Sequence, residues 1–311
     1  MSNAKVIICG IVKNVAQRLD YNIMHALDTG KRFAESKVVI YENNSTDGTK
    51  DILKKYSDAG KIFLISEDIS DEEFKKNSTF WSYKKITGSD HPCRMELISN
   101  ARNKVVDEIR KDKYKDFDCV IWIDMDSNGW SIDGIVDSVE KIQSGLIDVL
   151  FGNTHTYYDY YALRSPQSPL KLFGPEVVGQ VWWANLKQDV KINHYNMIPV
   201  YSAFNGIGVY CKKAFDTHKY DFKVNNSVKK LYGIFMTSSH PTIYQQIRPY
   251  AEQDCGTFPD GIEDANLKII WKNNSGYKGD VVCEHVALNF GLIVDGYKLA
   301  INPRLLYGHV P

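Results

Sequence analysis

Short apolar runs alternate with amphipathic segments along the first 130 residues of the chain. The run from Lys5 to Val12 (KVIICGIV) is apolar on both faces, as expected for a strand inside a parallel sheet. The segment from Val15 to Thr29 has its apolar residues at helical spacing and ends before Gly30. Further strands are predicted at 37–41, 61–66 and 119–123, and further helices at 50–56 and 94–109. This alternation predicts an α/β fold with a mainly parallel central sheet flanked by helices.

The second half of the chain has a less regular pattern. A helix is predicted at 132–142 and short strands at 149–151 and 201–210, the last containing Gly206 and Gly208. The run from Val281 to Phe290 (VVCEHVALNF) is almost continuously apolar, and we interpret it as a strand that carries His285. An aromatic stretch at 153–161 (NTHTYYDYY) combines ring faces with hydrogen-bonding groups, which suits sugar binding, although any single ring is more simply a core residue.

Two carboxylates follow the predicted strand at 119–123. Asp124 and Asp126 are two positions apart, so in an extended chain their side chains point the same way. Mg²⁺ and Mn²⁺ prefer oxygen ligands of this kind, and complete their coordination with water and phosphate. An aspartate after a buried strand is also an ordinary turn or helix-capping residue, so the pair alone leaves both interpretations open.

A second acidic segment follows the predicted strand at 37–41. Glu42 and Asp47 lie in this loop (ENNSTDGT), and ligands of open α/β sheets bind beyond the carboxyl ends of strands. A carboxylate there can accept hydrogen bonds from a ribose or a base. Thr46, Gly48 and Thr49 equally suit a plain turn and helix start, so this segment also has two interpretations.

Composition narrows the class of protein further. The chain has 311 residues, and its 38 basic and 38 acidic residues balance, so no basic surface for nucleic acid is predicted. The six cysteines lack the short spacings of a zinc site and are expected to be reduced thiols, although their spacing also permits three long-range disulfides. No apolar run approaches the roughly 20 residues that span a bilayer, and no signal peptide is visible. A cytoplasmic location is therefore expected, or a lumenal one if an anchor has been removed.

Three segments in order carry a family resemblance: VVIYENNSTDGT, SNARNKVVDEI and CVIWIDMDSN. They resemble the nucleotide-binding half of GT-A glycosyltransferases, which combines an acidic loop, an "ARN" helix and a strand that ends in Asp-x-Asp. More narrowly, they resemble the fungal capsule-associated α-1,3-mannosyltransferase-like family. The resemblance implies a single GT-A domain, in which residues 5–130 bind a nucleotide sugar and residues 131–311 bind an acceptor.

The resemblance also implies roles at the donor site. Mn²⁺ or Mg²⁺ would be held by Asp126 and His285, with Asp124 oriented to the metal's water or the ribose. Later histidines often supply the last metal ligand in such enzymes, and His309 is the alternative to His285. The residues implied to bind the nucleotide sugar, carried by UDP or GDP, are Glu42, Asp47, Arg102, Asp124, Asn205 and Gly206.

On the acceptor side, the segment FPDGIEDANL resembles the GT-A segment in which an acidic pair opens a helix beneath the acceptor. Glu263 and Asp264 are therefore the predicted catalytic acids. In an inverting enzyme Asp264 would be the general base, whereas in a retaining enzyme both acids would only position hydroxyls. The family resemblance favours retention of configuration during transfer of a hexose to a hydroxyl of a glycan or another acceptor.

Two other functions remain possible at this point. A sugar-phosphate nucleotidyltransferase would use a similar sheet with Mg²⁺, but it wraps phosphates in a glycine-rich basic loop after the first strand. The corresponding segment here (GIVKNV) has one glycine and one lysine, which disfavours that activity. A non-catalytic carbohydrate- or nucleotide-binding protein of the same fold is disfavoured by Asp124, Asp126, Glu263 and Asp264, but not excluded.

Overall fold

The computed structural model describes residues 2–77, 93–154, 157–166, 172–179, 196–236, 262–264, 267–269, 271 and 281–308. Its strands are β1 (Ser2–Val12), β2 (Phe33–Asn43), β3 (Phe63–Glu67), β4 (Cys119–Ile123), β5 (Val149–Asn153), β6 (Ile198–Pro199), β7 (Ile207–Cys211), β8 (Ile262–Asp264), β9 (Leu267–Ile269) and β10 (Leu299–Leu306). Its α-helices are α1 (Ala16–Gly30), α2 (Thr49–Asp58), α3 (Asp71–Asn77), α4 (Arg94–Ile109), α5 (Ile132–Gln143), α6 (Pro175–Val178), α7 (Ala214–Thr217), α8 (Asn226–Ile234) and α9 (Glu284–Val294).

Eight strands form one sheet in the order β3-β2-β1-β4-β7-β5-β10-β6. The first four strands are parallel to one another, as predicted, so the carboxyl ends of β1, β2 and β4 meet at one edge of the sheet. The other half is mixed: β7 runs antiparallel to both β4 and β5, while β10 is parallel to β5. The sheet therefore takes strands from both halves of the chain, and β7 begins where β4 ends.

The centre of the sheet is buried on both faces. All five residues of β4 are buried, and Val120, Ile121 and Trp122 have no exposed surface. Burying a large apolar side chain contributes roughly 2 kcal/mol, and this short strand (CVIWI) consists of apolar residues and one cysteine. Helix α4 covers β1 and β2 with Val105, Val106 and Ile109, its apolar positions at helical spacing. The rigid centre thus fixes where Asp124 leaves the sheet.

Several predicted boundaries are confirmed and several need correction. The predictions for α4 and β4 match the observed bounds, whereas β1 and β2 each begin earlier than predicted. The segment with His285 is helix α9, and the predicted strand is wrong. Glu263 and Asp264 lie in β8, which pairs with β9, so the predicted helix start there is wrong as well. Within the described ranges, no helix has the length and apolar character needed to cross a bilayer.

Candidate active site

The turn after β4 is anchored by three other elements. The backbone N–H of Asp124 donates to the Gly206 carbonyl, over 2.9 Å, just before β7. The Tyr307 hydroxyl donates to the Asp124 carbonyl over 2.9 Å, and Asn22 of α1 donates to the Met125 carbonyl over 2.8 Å. Because each contact fixes a backbone group, the Asp124 and Asp126 side chains project from a positioned turn.

A cavity of about 370 Å³ opens beside this turn. Its polar and charged lining residues are Lys13, Arg94, Arg102, Asp124, Asp126, Tyr158, Asp159, Tyr161, Glu284 and His285. The lining therefore brings Arg102, Asp124, Asp126 and His285 together, as the sequence predicted. They come from α4, from the turn after β4 and from the start of α9.

Asp124 forms an ion pair with Arg102. Arg102 Nη2 lies 3.3 Å from Asp124 Oδ1, and only 5% of the Arg102 side chain is exposed. Burial is the main cause that raises the Asp124 pKa to about 7; Arg102 opposes the rise, while Asp126, Asp159 and Glu284 add to it. Several carboxylates thus compete for one buried guanidinium, and the site has a surplus of negative charge around Asp124.

Asp126 has different surroundings. It is exposed, and the structure shows it with neither a hydrogen bond nor an ion pair to the described residues. Asp124 already interacts with Arg102, so Asp126 is the carboxylate of the pair that remains available for a ligand. The roles predicted for the two aspartates stay predictions.

His285 lies at the first turn of α9 and is 3% exposed. Its ring stacks on Phe204 with centroids 3.8 Å apart, and its Nε2 lies 3.5 Å from Glu284 Oε1. Burial lowers the pKa of His285 well below its usual value, and the Arg102 charge lowers it further. The imidazole is therefore neutral near pH 7, which is the form that can ligate a metal.

The Glu42–Thr49 loop serves mainly as a structural cap in this conformation. Glu42 is fully buried and accepts hydrogen bonds from Ser45 N (2.7 Å) and the Ser66 hydroxyl (2.6 Å). Asp47 is exposed and accepts from Ala16 N and Thr49 N, so it caps both α1 and α2. These hydrogen bonds hold the pKa of Asp47 below its usual value, with the Thr49 hydroxyl contributing most. Neither carboxylate lines the cavity beside Asp124.

Asn205 and Gly206 also lie behind the cavity wall, which contains their neighbour Phe204. Asn205 has a positive φ of 57° and is fully buried. Its backbone N–H donates to Asp159 Oδ2 (3.2 Å), and its side-chain oxygen accepts from Tyr158 N (3.3 Å). The two residues therefore connect the turn after β4 to the segment with Tyr158 and Asp159.

Three predicted residues lie wholly or partly outside the described residues. For Glu263 and Asp264 in β8, the structure describes the backbone alone. His309 lies outside the described residues. The predicted acceptor acids and the alternative metal ligand therefore remain predictions.

Sequence reasoning missed Asp159 and Glu284 as lining residues. Asp159 stands inside the aromatic stretch, and burial raises its pKa to about 6. Glu284 precedes His285 and is only 5% exposed, so it is a buried charged residue within an otherwise almost continuously apolar segment. One sequence feature could have indicated them: each is a charged residue within an apolar or aromatic segment. A charge buried with such a segment needs a partner, and it therefore indicates a polar site. Lys13 and Arg94 complete the missed set as exposed cations on the same cavity.

Among solved structures, the chain resembles the mannosyltransferase PcManGT from Pyrobaculum calidifontis in complex with GDP-Man and Mn²⁺, with 10% identity and a TM-score of 0.38. It also resembles the fragment 1–349 of TarS from S. aureus in complex with UDP-GlcNAc, with 18% identity and a TM-score of 0.37. Each match covers 70% of this chain and 47% or 48% of the other, so the chain spans about half the length of these structures. A search of curated protein sequences found no match.

A family model gives the decisive comparison. The model described as cryptococcal mannosyltransferase 1 matches residues 6–243, which include the acidic loop, helix α4 and the turn with Asp124 and Asp126. This match covers well over half of the 311 residues. The predicted α/β fold, with a mainly parallel central sheet flanked by helices, is confirmed, and the chain belongs to the cryptococcal mannosyltransferase 1 family.

Proposed function

We propose that the protein transfers a hexose from a UDP- or GDP-linked donor to a hydroxyl acceptor, with retention of configuration. The observation that carries this proposal is the cavity beside β4, where exposed Asp126 and neutral His285 share one lining with Lys13 and Arg94. Carboxylates and an imidazole suit a metal ion, and the two cations suit phosphate oxygens. Mannose is the first donor sugar to test, because the family description names a mannosyltransferase.

The side chains present fit a divalent ion bound together with a diphosphate. Among the described residues, no three His, Cys, Asp or Glu side chains form a ready metal site. Mg²⁺ and Mn²⁺ need only one or two protein carboxylates when phosphate and water complete the coordination, and neither ring nitrogen of His285 is hydrogen-bonded to a described residue. Asp126 and His285 would hold the ion, with Asp124 beside them. When bound, it would neutralise the charge that develops on the leaving diphosphate.

The chain's own cations would assist at the phosphates. Lys13 follows β1 and Arg94 begins α4, and both are exposed where the cavity opens. Arg102 lies deeper and is engaged with Asp124, so it would orient that carboxylate at the nucleotide rather than move toward the phosphates. Because Arg102 is engaged with Asp124, Lys13 and Arg94 are the cations that would contact the phosphate groups of the ligand.

The nucleoside and the acceptor would bind on opposite sides of the diphosphate. Asp47 is the exposed carboxylate of its loop and would contact the nucleoside, whereas buried Glu42 would shape that loop from inside. Asn205 and Gly206 would support the donor site from behind Phe204. Glu263 and Asp264 would position acceptor hydroxyls without acting as an obligatory base, in keeping with retention.

A thermal-shift screen tests the proposal. Nucleoside diphosphate and Mn²⁺ together should raise the melting temperature more than either alone, because a ligand that binds only the folded state stabilises it. GDP, UDP, GDP-mannose and UDP-N-acetylglucosamine form the panel, each with and without Mn²⁺. If no nucleotide gives a shift that depends on the metal, the proposed donor site is wrong. Binding without any transfer would instead favour a non-catalytic role.

A further inference from the structure

Two carboxylates that the proposed function does not use, Glu284 at the start of α9 and Asp159, line the cavity. Glu284 Oε1 lies 3.6 Å from Arg102 Nε and 3.5 Å from His285 Nε2. Asp159 lines the same cavity and interacts electrostatically with both Glu284 and Arg102. We call Arg102, Asp159, Glu284 and His285 the α9 cluster.

The α9 cluster contains buried polar atoms that lack hydrogen bonds. Arg102 Nε and both ring nitrogens of His285 have no hydrogen-bond partner among the described residues, although both side chains are at least 95% buried. The Arg102–Glu284 contact is an ion pair that is too long to satisfy the Nε donor well. A buried donor without a partner costs about 1–3 kcal/mol, so Arg102 Nε, and the His285 ring nitrogen that a metal would leave unused, indicate a ligand that supplies the missing hydrogen bonds.

The charge of the α9 cluster restricts the chemistry of that ligand. Asp159 and Glu284, together with adjacent Asp124, surround the single guanidinium of Arg102. An additional phosphate would be repelled here, whereas Lys13 and Arg94 offer it a favourable place elsewhere on the cavity. A neutral ligand with several hydroxyls fits best, because each hydroxyl can donate to a carboxylate and accept from an N–H. The half-exposed ring of Tyr158 adds an aromatic face for sugar C–H groups.

Resting on the function proposed above, we propose that Glu284 and Asp159 recognise hydroxyls of the transferred hexose. A single guanidinium, Arg102, contacts both Asp124 at the diphosphate end and Glu284. The hexose is bonded directly to the diphosphate, so it is the part of the donor that meets the α9 cluster next. Glu284 and Asp159 accept hydrogen bonds from its hydroxyls, and Arg102 Nε donates one. These contacts would select among hexoses that differ in hydroxyl orientation.

Titration calorimetry with matched ligands separates sugar recognition from nucleotide binding. Wild type, Glu284→Gln and Asp159→Asn are titrated with GDP, GDP-mannose, UDP and UDP-N-acetylglucosamine, each in the presence of Mn²⁺. The quantity compared is the ratio of the Kd of the nucleoside diphosphate to the Kd of its nucleotide sugar. Each variant should lower this ratio about ten-fold, through loss of a charge-assisted hydrogen bond, while the Kd of the nucleoside diphosphate stays within about two-fold of wild type.

The matched control is Glu108→Gln. Glu108 is also a buried glutamate, with ion pairs to Lys111 and Lys113, but it does not line the cavity. The Glu108→Gln variant should leave the ratio of the two Kd values unchanged. The melting temperatures of all variants show whether they fold. An unchanged ratio in Glu284→Gln and Asp159→Asn overturns the proposal, as does an equal loss of both ligands, which would indicate a purely structural role through Arg102. If wild type binds no nucleoside diphosphate, the proposed function itself fails.

Discussion

Arg102 links Asp124 to Glu284, with its Nη2 3.3 Å from Asp124 Oδ1 and its Nε 3.6 Å from Glu284 Oε1. Three aromatic rings surround the same guanidinium: those of Trp122, Phe204 and Tyr220 have centroids 5.3, 4.9 and 5.3 Å from its central carbon. Two carboxylates and three ring faces therefore compensate one buried charge. Because the carboxylates belong to different segments, this residue joins the turn after β4 to α9.

Arg102→Met should destabilise the protein strongly. The change leaves Glu284 buried without its cation, and breaking a buried ion pair costs about 3–5 kcal/mol. The control is Arg32→Met, which removes an exposed ion pair with Asp133 and should cost at most about 1 kcal/mol. Urea unfolding measures both free energies, and equal losses would show that Arg102 does not stabilise this region.

Tyr307→Phe should lower turnover without unfolding the protein. The hydroxyl that it removes donates to the Asp124 carbonyl, and one such hydrogen bond contributes about 1 kcal/mol. Tyr56→Phe is the control, because Tyr56 is equally buried, at 7% exposed, and its hydroxyl donates to Asp20 Oδ1. Both variants should lose similar stability, but only Tyr307→Phe should lose activity. Equal activities would mean that the Tyr307 contact does not position the turn.

Gly206→Ala should be far more destabilising than Gly296→Ala. Both glycines have positive φ, 83° and 87°, so a side chain at either costs roughly 1–2 kcal/mol in backbone strain. A Cβ at Gly206 would also overlap the Tyr307 ring, whereas a Cβ at Gly296 meets open space. We expect a loss of about 3 kcal/mol or more for Gly206→Ala, including overpacking. Similar unfolding free energies for the two variants would contradict the close packing of Tyr307 on the turn.

Asp159→Asn should change how stability depends on pH. Burial raises the Asp159 pKa from its usual value near 4 to about 6, so the folded state keeps a proton that the unfolded chain has released. Between these two pKa values, the wild-type protein therefore loses stability as the pH rises, whereas the asparagine variant does not. The difference in unfolding free energy, variant minus wild type, should increase from pH 4 to pH 7. Asp116→Asn, at an exposed position, should show no such increase; a flat difference for Asp159→Asn would contradict its burial.

The first half of the molecule was predictable because its elements follow simple periodicities. The strand before Asp124 and helix α4 were predicted with their observed bounds, since one is a short apolar run and the other has a clear helical spacing. Parallel pairing of β1 with β4 then brings Asp124 to the carboxyl edge of the sheet, whereas the place of Arg102, on helix α4, was implied by the family resemblance.

The α9 segment was misassigned because almost every residue in it is buried, including Glu284 and His285. A segment buried on all sides has no polar face, so neither a two-residue nor a helical period is visible in it. Asp159 was missed for another reason. Asp159 accepts a hydrogen bond from Asn205 N, a contact between residues 46 positions apart that no local pattern encodes.

Donor turnover by Asp126→Ala tests whether Asp126 is needed for sugar transfer. Purified protein is incubated with Mn²⁺, a panel of nucleotide sugars and a mixture of sugar acceptors, and released nucleoside diphosphate and glycosylated product are measured. The control, Asp116→Ala, removes another exposed carboxylate near the opposite end of β4. We predict turnover by wild type and by Asp116→Ala, and a loss of about 100-fold or more in Asp126→Ala at an unchanged melting temperature. Turnover by a folded Asp126→Ala variant at the wild-type rate would show that Asp126 is not part of the active site.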